Sequence, residues 1–206
     1  MKQNEDNILA VALGNDVYCW NSSTGDITTL EEMKLPPSKV ISCVHWIDYR
    51  SLAIADTDGV VRLWDIEKRK QMRKLNFNAA RVGCMSVGGE ANPWVLTTGS
   101  KSGEIINFDV RQASPVTSKF NNHCQEVTGL VWSPSGKFLA SGGNDNVVNI
   151  WSDDVGHDHT RPIHELDEHM ASVKALAWCP WKAQVLATGG GTLNRHRLYL
   201  PLTDTL

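Results

Sequence analysis

The chain has 206 residues, 41% hydrophobic and 21% charged, with a formal net charge of −3 at pH 7. That length buries a substantial core in one or two domains, and the charge balance makes no electrostatic case for nucleic acid or a membrane as partner. Cys19, Cys43, Cys84, Cys124 and Cys179 are odd in number and scattered, with no C-x-x-C pair. They argue for a reducing compartment, cytoplasm or nucleus, and against a disulfide framework or a zinc site. No apolar run reaches the length of a membrane span, and MKQNEDNILAVAL lacks a signal-peptide pattern.

In chain order, residues 8–13 and 17–20 read as strands and 26–30 as an outer strand. Few and mostly polar residues precede Ile8, so the first strand of this unit is expected to be missing. A second unit has strands near 40–46, 51–55, 60–64 and 70–75. The third, from Arg81 to about Phe120, is less regular: Ser86 and Val87 stand where other units place Trp, and its strand 104–108 runs into Asp109-Val110-Arg111. The fourth, HCQEVTGLVWSPSGKFLASGGNDNVVNIW from His123 to Trp151, is the most complete. Alternation over 125–132, a turn at 133–136, an apolar run over 138–141, a turn at 142–146 and a strand over 147–151 predict a sheet, with 162–166 outside it. A fifth unit starts at Val173, passes Trp178 and 186–189, and loses the pattern after Thr192.

These units repeat. Trp20, Trp64, Phe108 and Trp151 stand 44, 44 and 43 residues apart, and a second ladder of Trp46, Trp132 and Trp178 has steps of 86 and 46. A period near 40–45 residues with four short strands is the signature of WD-repeat blades. The predicted fold is therefore all-β, a WD-repeat β-propeller with about five of seven blades: approximately 1–35, 36–77, 78–120, 121–167 and an incomplete 168–200, with 193–206 a divergent tail. Both ends fall inside a blade, and a propeller closes by borrowing a strand from the opposite terminus. The expectation is an open or incomplete propeller: a fragment, a truncated product or a piece needing a partner, because open apolar edges invite aggregation.

Four residues of the fourth unit match the hydrogen-bonded relay of WD repeats and are expected to form it: His123 before the first strand, Ser141 in the second, Asp145 in the turn and Trp151 in the third. Such a relay satisfies the indole N–H inside a buried layer. Asp58, six residues before Trp64, suggests that the second blade keeps part of it. Ser141, His123 and Asp145 also contain the residue types of a hydrolase, but burial in a blade removes them from substrate. Asn144 and Asn146 admit two readings: turn formers tolerating positive φ, or paired amide donors and acceptors for a ligand. Residues 153–159 (DDVGHDH) contain metal-ligand types, but consecutive ligands on a loop rarely fix a geometry, so no metal site is expected. The basic run 67–74 reads as a charged edge strand, with contact to an acidic peptide as the sharper alternative. Gly189-Gly190-Gly191-Thr192 lacks the lysine and spacing of a phosphate loop, and neither G-x-S-x-G nor H-E-x-x-H occurs. Neither enzyme activity nor a cofactor is expected.

Several phrases in order, LAVALGNDVYCWNSSTGDI, AARVGCMSV, GSKSGEI with DVR, QEVTGLVWSPSGKFLASGGNDNVVNIW and VKALAWCPWKAQVLATGGGT, resemble the fizzy family, the propeller activators of the anaphase-promoting ubiquitin ligase. WNSSTGDI and CPW with LATGGGT are similar to its mitotic branch, and the resemblance spans about residues 8–192. It implies substrate recognition during mitosis rather than chemistry, with ligase subunits, degron-bearing substrates and mitotic checkpoint proteins as partners. Family members hold a KEN motif on the top face, a destruction box between the first and last blades, and a third motif class between the second and third. The KEN contacts that match here are Asn144, Asn146 and Thr192. Further KEN contacts, the last blade, the N-terminal docking motifs and the C-terminal Ile-Arg tail have no counterpart in this sequence. On its own the chain is therefore expected not to activate the ligase. The alternatives are a sequestering truncation or a generic WD interaction scaffold.

Overall fold

Short runs of alternating residues, punctuated by turns with Gly, Asp and Asn, produce antiparallel hairpins that can each bury a face only against a neighbour. A computed structural model describes residues 2–3, 7–29, 33–89, 91–152, 161–182, 184–191 and 197–201. The described residues form five antiparallel sheets, one for each predicted unit. The first sheet holds Lys2–Gln3 (β1), Ile8–Leu13 (β2), Asp16–Asn21 (β3) and Ile27–Thr29 (β4), in that order. The second holds Ile41–Trp46 (β5), Ser51–Asp56 (β6), Val61–Asp65 (β7) and Lys70–Leu75 (β8). The third consists of Val82–Val87 (β9), Val95–Ser100 (β10), Ile105–Asp109 (β11) and Val116–Phe120 (β12). The fourth consists of Val127–Trp132 (β13), Phe138–Gly143 (β14), Val148–Ser152 (β15) and His164–Leu166 (β16). The fifth has three strands, Val173–Trp178 (β17), Val185–Gly190 (β18) and Arg197–Pro201 (β19).

Three features depart from the sequence pattern. The first sheet does have a first strand: β1 pairs antiparallel with β2, Lys2 opposite Ala10 and Gln3 opposite Leu9. Backbone pairing needs no apolar side chain, so the polar start of the chain gave no sign of it. At the other end, β19 comes from the segment read as a divergent tail and pairs with β18, Arg197 opposite Gly189 through Pro201 opposite Val185. The predicted turn at 142–146 is also shorter, because Gly142 and Gly143 continue β14. A Cβ on Gly142 would run against the Val173 backbone, so this strand approaches β17 only because the residue is glycine.

The chain divides into two compact units, Met1–Met85 and Ser86–Leu206. In the first, Ala10, Val17, Met33, Leu35, Leu52, Ile54 and Trp64 belong to one buried cluster. In the second, Val148, Ile150, Val173, Trp178 and Leu186 form another. Within this second unit the second tryptophan ladder ties blade to blade. The Trp132 indole N–H donates to Thr97 Oγ1 of the preceding sheet at 2.8 Å, and the Trp178 indole to the Val131 carbonyl at 3.1 Å. A large aromatic with one polar tip can thus fill the apolar space between sheets and close it with a directional bond. Phe120 packs on Trp151 with ring centroids 4.7 Å apart, a further contact between neighbouring sheets.

Candidate functional site

The fourth sheet converges on a buried polar chain. The Trp151 indole on β15 donates to Ser141 Oγ on β14 at 2.9 Å, and Ser141 Oγ lies 2.9 Å from His123 Nε2. On its other edge, His123 Nδ1 meets the Asp145 carboxylate at 3.0 and 3.1 Å. The donor inventory fixes the direction. Asn149 Nδ2 lies 3.2 Å from His123 Nε2, while Asn149 Oδ1 accepts from Asn122 Nδ2 at 3.1 Å, so Nε2 is the acceptor. The chain runs from indole N–H to Ser141 Oγ, from the Ser141 hydroxyl to Nε2, and from Nδ1–H to Asp145. Ser141 and the His123 side chain are fully buried. With its oxygen already accepting the indole proton and no path to solvent, Ser141 is unavailable as a nucleophile.

This relay shapes the partly exposed turn above it. Asp145 also accepts from the backbone N–H of Cys124 at 3.0 Å and of Val147 at 3.3 Å, binding the turn to the segment before β13. A Cβ at Gly143 would collide with the Asp145 carboxylate and the His123 ring, so the approach depends on glycine. Asn146 occupies the left-handed region at φ 67, one of three described non-glycine residues with positive φ. Asn is the side chain that best tolerates that conformation, so the turn itself accounts for its identity. Asn144 is exposed; its N–H donates to the Glu126 carbonyl at 2.9 Å, and its Oδ1 accepts from Ser172 Oγ at 2.6 Å. Thr192 lies outside the described residues, but the N–H of its neighbour Gly191 donates to the Ser172 carbonyl at 3.0 Å. The Asn144 side chain and the end of β18 therefore meet at Ser172.

Register shows where the relay is kept in other sheets. Ser141 stands two residues beyond the pair Leu139–Trp151; the same place in the second sheet, beyond Leu52–Trp64, is Ile54. The Trp64 indole accordingly has no hydrogen-bond partner among the described residues. Asp58 does not continue a relay there: it pairs with Lys39 at 2.7 Å on the surface. The buried acid of that turn is Asp56, held by Arg62 Nη1 at 2.8 Å and by the N–H groups of Asp58 and Val60. In the fifth sheet the equivalent of Ser141 is Thr188, two beyond Leu186–Leu200, and His169 Nε2 lies 2.8 Å from its hydroxyl. The sequence did carry that signal: His169 precedes Val173 as His123 precedes Val127, and ATGG repeats ASGG. Burial pushes the His169 pKa below its ordinary value, with Glu168 opposing in part.

The remaining candidates are peripheral. β8, at the heart of the basic run, is largely exposed, and near it Arg50 pairs with Glu67 at 3.3 Å and Lys68 with Asp65 at 3.5 Å. Residues 153–160 lie outside the described residues, among which no cluster of three metal-ligating side chains occurs.

Residues 1–198 match the family model described as "CDC20/Fizzy WD40 domain". The chain is 45% identical over 196 residues to "Cell division cycle 20.1, cofactor of APC complex" of Arabidopsis thaliana, covering 92% of this chain and 41% of that protein. It is 40% identical over 191 residues to "WD repeat-containing protein slp1" of Schizosaccharomyces pombe, covering 92% of this chain and 37% of that one. Among solved structures, the "Crystal Structure of Mitotic Checkpoint Complex" contains a chain that matches with a TM-score of 0.88 and 38% identity, over 97% of this chain and 60% of that chain. The chain thus spans about two fifths of the length of these curated relatives.

Proposed function

Because the chain belongs to the CDC20/Fizzy WD40 family, we propose that it is the substrate-reading propeller segment of an activator of the anaphase-promoting ubiquitin ligase. Its work is recognition, not chemistry: it presents a surface to degron peptides during mitosis, and its partners are ligase subunits, degron-bearing substrates and checkpoint proteins. The observation that carries this reading is the turn of Asn144, exposed, and Asn146, half-buried, above a relay that leaves its backbone little freedom. Asn144, Asn146 and Thr192 are the proposed contacts to a KEN-type peptide. Amide and hydroxyl groups offer both donors and acceptors to an extended peptide, and a preformed turn loses little entropy on binding. The cytoplasm and nucleus are the proposed location, in keeping with the scattered cysteines.

The test is fluorescence anisotropy of a labelled KEN peptide against the full-length protein. Wild-type binding that falls at least tenfold in Asn146→Ala and in Thr192→Ala, with folding intact by circular dichroism, is expected. Equal affinity for a peptide with the KEN residues replaced by alanine would refute the reading.

A further inference from the structure

Asn144 has an ambiguous side chain: its oxygen accepts, its nitrogen donates two hydrogens, and rotation exchanges them. Ser172 meets one end of it. Its hydroxyl donates to Asn144 Oδ1 at 2.6 Å. In this orientation Nδ2 has no partner among the described residues. The Ser172 carbonyl meanwhile accepts the Gly191 N–H at 3.0 Å, so one residue touches both the turn after β14 and the segment after β18. The Asn144 main chain is held in place by its N–H, which donates to the Glu126 carbonyl at 2.9 Å. Neither composition nor spacing marks Ser172; only the pairing of neighbouring sheets brings it 2.6 Å from a residue 28 positions earlier.

We infer that Ser172 is a positioning residue, which holds the Asn144 side chain where its amide N–H groups face a carbonyl oxygen of the bound peptide. This rests on the peptide reading above. The ligand group that this orientation suits is an acceptor, a backbone carbonyl or the side-chain oxygen of Asn, Gln or Glu. Without the hydroxyl, the Asn144 side chain is less restrained, and binding must fix it.

The experiment measures KEN-peptide affinity of the full-length protein carrying Ser172→Ala, Ser172→Thr, Asn144→Ala, or Ser172→Ala with Asn144→Ala. Loss of one oriented hydrogen bond predicts a weakening of about three- to tenfold for Ser172→Ala. Ser172→Thr, which keeps the hydroxyl, restores affinity to within about twofold of wild type. The double variant binds no more weakly than Asn144→Ala alone, because Ser172 acts through Asn144. A purely structural role would instead make the two losses add. Additive losses, or an effect of Asn144→Ala with none of Ser172→Ala, overturn this inference and leave the peptide site standing. Failure of the wild-type protein to bind the peptide overturns both.

Discussion

Replacing Ser141 by alanine tests whether the relay is a stabilising element. Its hydroxyl serves two buried groups, the Trp151 indole and His123 Nε2, both at 2.9 Å. Nε2 keeps a second partner in Asn149 at 3.2 Å, but the indole keeps none that the structure shows. Leaving one buried donor unpaired costs about 1–3 kcal/mol, and the net loss of the bond to histidine adds about 0.5–1 kcal/mol. Ser141→Ala is therefore expected to destabilise by about 2–3 kcal/mol, read as a lower urea midpoint at unchanged slope. The cost should shrink when no indole waits for a partner. In a Trp151→Phe background, matching the Phe108 of the third sheet, Ser141→Ala is expected to cost about 1 kcal/mol less or better. A loss below about 0.5 kcal/mol in the wild-type background, or the same loss in both, would refute the argument.

Three further expectations follow from the geometry. Trp132→Phe removes the indole bond to Thr97 at 2.8 Å, and denaturation should show a loss of about 1–3 kcal/mol, part of it from lost volume. His169, with a pKa held below its unfolded value, binds fewer protons folded than unfolded, so stability is full above about pH 6.5 and declines as pH falls below it. His169→Gln should remove that component of the acid slope; an unchanged slope would show that the histidine does not contribute to it. Burial pushes the Cys19 thiol up to about 11, whereas Cys124 is exposed. Alkylation at pH 8, followed by mass spectrometry, should modify Cys124 well before Cys19 in the native protein and lose that order in urea.

The sequence by itself determined the number and order of the sheets. Strand alternation and the tryptophan spacing are local or periodic properties, and each unit must bury one face whatever its neighbours do. His123, Ser141, Asp145 and Trp151 could be grouped from sequence because they match the relay of WD repeats and sit within one repeat. Other features depended on partners far along the chain. β1 and β19 join their sheets through backbone hydrogen bonds, which leave little trace in side-chain pattern. Asp58 and Asp56 look alike in sequence, yet only Asp56 faces Arg62 in the interior. The two tryptophan ladders share a period, but Trp151 bonds within its sheet while Trp132 and Trp178 reach the preceding one. The link from Ser172 to Asn144 likewise exists only because β17 packs beside β14. A hydrogen bond is decided by tenths of an ångström and by direction, and between sheets those are set by packing rather than by any spacing along the chain.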